Sequence, residues 1–110
     1  MEEQEFQKRC DAALEDLRHK LSALGDVHGF DVEGGSGKLE MLFDDDADTR
    51  FVISPNAPVR QIWISALSTS FKMSWLDSAG AFVLEKTGES LEQLMSRILT
   101  QQLATPVTLS

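Results

Sequence analysis

Residues 58–65 read PVRQIWIS, and the face on which their tryptophan falls decides the layout of the chain. A run rich in β-branched and aromatic residues after a proline reads as a strand, and side chains alternate faces along a strand. Ile62 and Ile64 share one face, and Gln61, Trp63 and Ser65 share the other. In the following run, FKMSW, Phe71, Met73 and Trp75 turn inward, leaving Lys72 and Ser74 beside Trp63. A large ring among small polar and basic groups needs a sheet with one face left open.

The flanking pattern supplies such a sheet. Over residues 2–24, Phe6, Cys10, Ala13, Leu14, Leu17, Leu21 and Leu24 recur at spacings of three and four, predicting a helix with one apolar face and Gly25 as its stop. Alternating runs follow between residues 30 and 86. FDVE turns Phe30 and Val32 inward, KLEMLF turns Leu39, Met41 and Phe43 inward, RFVIS buries Phe51 and Ile53, and FVLE buries Phe82 and Leu84. GGSG (34–37) and DDDAD (44–48) read as turns, and Pro55, lacking an N–H, ends its strand or lies on an edge. Ser90 and Gln93 have capping-box spacing at the start of a second helix, about 90–104. Leu91, Leu94, Ile98 and either Leu99 or Leu103 form its apolar face, Pro106 closes it, and Val107 and Leu109 remain able to pack. The expected fold is α+β: a two-layer α–β sandwich, with an N-terminal and a C-terminal helix on one face of an antiparallel sheet of about six strands. Residues 1–110 read as a single domain.

Composition narrows the function. The formal charge is −8, from 18 acidic and 10 basic residues, which disfavours nucleic acid and favours cations and basic protein surfaces. A single cysteine, Cys10, excludes an intrachain disulfide and a thiolate zinc site. No apolar run approaches the roughly 20 residues of a membrane span. MEEQEF resembles neither a signal peptide nor a transit sequence, so a bacterial cytoplasmic protein is expected, or a mitochondrial matrix protein if this is a processed start. His19 and His28 have no nucleophile partner, so no catalytic set is visible. DDDADTRFVISP places Asp44, Asp46 and Asp48 at the first calcium-loop positions, but Thr49 and Pro55 stand where Gly and Glu are required.

A distributed acidic set is more informative. Glu3, Asp11, Glu15 and His19 form one line along the first helix, and Asp31 and Glu33 point outward from the first strand. If that strand is the sheet edge beside the helix, the two rows join into an acidic ridge. Open carboxylates suit hard cations, and an imidazole extends the choice to iron, manganese or zinc. Without a preorganised cage such binding is weak. A solvated helix face has the same pattern, just as Trp63 reads equally as a docking aromatic or as a ring that its neighbours cover.

The run SPNAPVRQIWIS, Ser54 to Ser65, resembles the frataxin family, whose central strands carry Asn-Lys/Arg-Gln-x-Pro-x-x-Gln-Ile/Val-Trp-Leu/Ile-Ser/Ala. DVEGGSGKLEMLF is similar to the family's first hairpin, and SWLDSAGAFVLEKTGESLEQLM to its later hairpin and helix entry. The resemblance extends from about Glu5 to about Gln102. It implies the same sandwich fold and a non-enzymatic role in iron–sulfur cluster assembly. It also implies weak carboxylate-bound iron, and docking as a monomer on a cysteine desulfurase and its scaffold. By position it implies metal contacts at Glu3, Asp11, Glu15, Asp31 and Glu33, to which the helix line adds His19, and partner contacts at Asn56, Gln61, Trp63 and Lys72. Arg18, His19 and Lys20 stand where the family often has an acidic run, which thins the ridge. Ser54 replaces the usual Asn, Asn56 the usual Gln, and Lys72 an Arg common in eukaryotic members. The alternative is iron storage or a ferroxidase, which needs an oligomeric shell or a closed ligand set.

Overall fold

The apolar stripe of the first helix lies across a sheet in which every strand neighbours the next in sequence. The computed structural model describes residues 1–35 and 37–109. Helix α1 (Glu3–His28) leads into β1 (Phe30–Gly35), β2 (Lys38–Phe43), β3 (Asp46–Asn56), a 3-10 turn (Ala57–Val59), β4 (Gln61–Ala66), β5 (Thr69–Leu76), β6 (Ala81–Leu84) and β7 (Glu89–Ser90), and α2 (Leu91–Leu103) follows. The strand order is β1 through β7, and every pairing is antiparallel. Both helices cover one face, so the α+β sandwich stands as expected. The strand count rises to seven, because the two residues of β7 pair with Val83 and Leu84 just before α2.

The core sits between the layers. Phe6, Cys10, Leu14, Leu17 and Leu21 of α1, and Leu91, Leu94, Met95, Ile98 and Leu99 of α2, meet Met41, Phe51, Ile53, Ile62, Ile64 and Met73 from the sheet. Each fully buried Leu, Ile, Phe or Met contributes about 1.5–3 kcal/mol relative to exposure, and this burial selects the covered face. The choice left open on α2 is settled for Leu99, with Leu103 only half-buried. Ser90 caps α2: the Gln93 N–H donates to Ser90 Oγ (3.2 Å) and the Ser90 N–H to Gln93 Oε1 (2.9 Å). Val107 and Leu109 pack beneath α2, whose Ser96 Oγ accepts the Leu109 N–H at 2.9 Å.

Three local expectations are corrected. Gly25 is no stop: α1 runs to His28, and Gly25 lies so close to β1 that a Cβ there would sit 2.4 Å from the Phe30 carbonyl oxygen. The helix ends at Gly29, whose φ of 77° is the left-handed conformation of a C-cap and whose N–H donates to the Gly25 carbonyl. The acidic turn shrinks to Asp44 and Asp45, because Asp46 and Asp48 already belong to β3, whose register slips opposite Leu42 and Phe43. In FVLE, Phe82 and Val83 are buried while Leu84 is half-buried, although Val83 lies in the open-face row of Ser74 and pairs with Ser90 of β7. Pro55 obeys the edge alternative: β2 pairs with β3 only as far as Ile53, so Pro55 has a strand, β4, on one side alone. The expected turn at 34–37 includes Ser36, which lies outside the described residues.

Candidate functional site: a bare sheet face and an acidic helix flank

Register places the open-face residues in rows. Ser54, Trp63 and Lys72 are cross-strand partners, and so are Asn56, Gln61, Ser74 and Val83 in the next row. Trp63 therefore lies on the helix-free face, half-buried among its neighbours. Its indole Nε1–H donates to Gln61 Oε1 at 2.9 Å, and Gln61 Nε2–H donates to Ser74 Oγ at 3.2 Å. The Lys72 ammonium lies 4.8 Å from the indole centroid, within cation–π range. Ring and amide are held in place before any partner arrives, which lowers the ordering cost of docking. Asn56 is half-buried at the end of this surface, where the chain leaves β3 for the 3-10 turn. Trp75, the other tryptophan, is on the helix side, edge-on to Phe82 with the Arg9 guanidinium 4.2 Å from its ring centroid.

The acidic set is brought together only in part. β1 is the sheet edge and packs against α1, as a joined ridge requires. Asp11 and Glu15 share a cleft of about 370 Å³ with Leu14, Arg18, Gly34, Gly37, Lys38 and Leu39. Asp31 and Glu33 are exposed on the opposite side of β1, alternating with Phe30 and Val32, and do not line that cleft. Glu3 precedes Asp11 by eight residues, about 12 Å along a helix, so the two do not share an ion. His19 is exposed beside Glu15, with Nε2 3.1 Å from Glu15 Oε1. Among the described residues no three His, Cys, Asp or Glu side chains form a group able to hold a metal ion.

Arg18 is the residue whose role the sequence reading passed over. Its Nη2 lies 2.6 Å from Glu15 Oε1 and its Nε 3.2 Å from Oε2, a two-point grip. That grip, with further help from His19, holds the Glu15 carboxyl below its ordinary pKa. The i, i+3 spacing of Glu15 and Arg18 was the available signal. Across β1, Glu40 is flanked by Lys38 at 3.0 Å and Arg50 at 3.4 Å, and Lys38 chiefly depresses its pKa. Asp11 accepts a bond from Gln7 Nε2 at 2.8 Å, and it has no ion pair among the described residues. Measured against iron, this donor set offers separate carboxylates, one of them already neutralised by an arginine.

An antiparallel meander sealed by two helices on one side, with an ordered indole on the other and a carboxylate-bearing helix flank, is a two-layer α–β sandwich with one open sheet face. The chain belongs to the frataxin-like domain family, whose model matches residues 1–105. It is 25% identical to the iron–sulfur cluster assembly protein CyaY of Azotobacter vinelandii, over 82% of each chain. It is 30% identical to the protein of the same name from Pseudomonas entomophila, over 82% of this chain and 76% of that one. Mitochondrial frataxin of Arabidopsis thaliana is 27% identical across the whole of this chain and 60% of its own length. The fold is shared with the frataxin of Psychromonas ingrahamii, with a TM-score of 0.83 at 18% identity over 100% of this chain and 99% of that one. It is also shared with trimeric yeast frataxin complexed with ferrous iron, with a TM-score of 0.72 at 23% identity over 88% and 87%. No helix of the described residues is long and apolar enough to cross a membrane.

Proposed function

We propose that this chain is an accessory protein of iron–sulfur cluster assembly. It docks as a monomer on a cysteine desulfurase and its scaffold, and it holds iron only weakly. The relatives' names point to the pathway, and the observation that carries the docking role is the ordered indole on the bare sheet face. Trp63 is an aromatic of the kind enriched at interface centres, with Lys72 beside it, supported by Gln61 and Ser74 and bordered by Asn56. The carboxylates of the α1 flank approach a basic surface of the desulfurase, setting encounter rate and salt sensitivity more than final affinity.

Iron belongs to the loose end of this reading. Asp11 on one side, and Asp31 and Glu33 on the other, offer oxygen ligands to a hard cation. Glu15 and His19 join only when Arg18 lets go, and Glu3 lies apart. Such a set suits transient iron and is unlike the closed ligand set of a ferroxidase.

The test is a pull-down with the cognate desulfurase and scaffold, at low and high salt, followed by sulfide production with and without this protein. Retention that falls with salt and a changed sulfide rate are expected. No retention and no change in rate would end the docking role. Ferrous iron added under NMR observation should broaden Asp11, Glu15 and Asp31, and rapid oxygen consumption on the same addition would instead favour a ferroxidase.

A further inference from the structure

Most of the basic residues are occupied. Arg9, Arg18, Lys20, Lys38, Arg50 and Arg97 each lie in an ion pair, which accounts for six of the ten. Lys72 and Lys86 have no such pair among the described residues, and both line one hollow of about 580 Å³ at the β5–β6 end of the open face. Ser70, Gln61, Leu84 and Glu85 complete the lining. Gln61 spends its oxygen on Trp63 and one of its two amide hydrogens on Ser74, so the donors left are two ammonium groups, the Ser70 hydroxyl and the second Gln61 N–H. Two lysines against Glu85 leave one net positive charge, in a molecule whose formal charge is −8.

We infer that the hollow between Lys72 and Lys86 receives a carboxylate from an acidic peptide segment of the partner that lies on the open face. The inference rests on the docking role proposed above and names the chemistry recognised there. A single carboxylate matches the single net positive charge of the lining, whereas Glu85 repels the second charge of a phosphate. Lys72 is steadied over the Trp63 ring, so it loses less freedom on pairing than a free lysine does.

The test uses the full chain labelled with nitrogen-15 and two synthetic peptides, acetyl-Gly-Leu-Glu-Leu-Gly-amide and its counterpart with Gln in place of Glu. The acidic peptide should shift the amides of Ser70, Lys72, Glu85 and Lys86 and the Trp63 indole N–H. The Gln peptide should bind about two- to fivefold more weakly, the worth of one exposed ion pair. The double variant Lys72→Gln with Lys86→Gln should weaken the acidic peptide by at least the same factor and leave the rest of the spectrum in place. Equal response to both peptides, shifts confined to other surfaces, or equal shifts from inorganic phosphate at matched concentration would each overturn the inference. The pull-down separates this from the broader reading. Wild-type protein that fails to bind the desulfurase–scaffold complex defeats the docking role whatever the peptides do. Intact complex binding alongside silent peptides defeats the carboxylate site alone.

Discussion

Trp63→Ala removes a ring that is held by two contacts and covered by no helix. The indole hydrogen bond to Gln61, 2.9 Å long, contributes about 0.5–1.5 kcal/mol net. The Lys72 ammonium at 4.8 Å adds about 0.5–1 kcal/mol, the range for an exposed cation–π contact. The ring lies on the open side, so its removal leaves no closed cavity, and the expected cost is about 1–2.5 kcal/mol. A tryptophan in the core would cost about 3–5 kcal/mol. Urea unfolding distinguishes the two: the midpoint should fall while the slope stays constant. Trp63→Phe keeps a ring beneath Lys72 and drops only the donor, so its loss should stay within about 0.5–1.5 kcal/mol. Binding should respond more strongly. Truncating a central interface aromatic costs about 2 kcal/mol or more, roughly thirtyfold in affinity for the desulfurase–scaffold complex. Loss of cooperative unfolding, or a cost in the core range, would show the ring to be structural. Normal stability with undiminished binding would remove it from the interface.

Other perturbations address the rest of the molecule. Gly25→Ala drives a Cβ against the Phe30 carbonyl oxygen, so it should destabilise by about 1–2 kcal/mol net in urea despite alanine's better helix propensity, and a gain in stability would refute the close approach. Burial, with a smaller contribution from Asp11, pushes the Cys10 thiol up to about 11, so iodoacetamide should react far more slowly with native than with unfolded protein. The native thiol keeps its proton longer than the unfolded one, so stability should decline as pH rises from 9.0 toward about 11, and equal alkylation rates would refute the burial. Arg97 grips Glu89 at 2.8 and 2.9 Å and holds its carboxyl below the ordinary value, a contribution present above the unfolded pKa and lost as pH falls through the native one. Glu89→Gln should therefore cost about 0.5–1 kcal/mol near neutral pH and almost nothing in strong acid, as read by thermal melts, and a pH-independent cost would refute the ion pair. Arg18→Gln frees Glu15, so ferrous-iron broadening of Asp11 and Glu15 should begin at a lower iron concentration, and an unchanged onset would remove Arg18 as the restraint on the cleft.

Periodicity specified two helices, six of the seven strands between them and the covered face of most elements, and the spacing of Ser90 and Gln93 specified the capping box. Burial is a one-dimensional signal: each apolar residue repeats at the spacing of its own element, so Ile62 and Ile64 declare their side and, by exclusion, so does Trp63. The same signal failed at Gly25, where the constraint is a strand carbonyl 2.4 Å from where a Cβ would stand. It also merged β3 into the acidic turn, because a run of aspartates has no apolar alternation to mark where pairing begins.

The family resemblance was likewise legible, in the Pro-x-x-Gln-Ile-Trp run of residues 58–63. What the sequence determined by itself is a list of faces: which residues meet the core, which meet water, and how the charge is divided among them. Only the tertiary structure decided their company. It set Arg18 on Glu15, separated Asp31 and Glu33 from the Asp11 cleft, tied Gln61 to both Trp63 and Ser74, and brought Lys86 across to Lys72. Such pairings depend on register and on the packing of α1 over β1, where a shift of one residue or a few ångströms changes which charges meet while the apolar pattern stays the same.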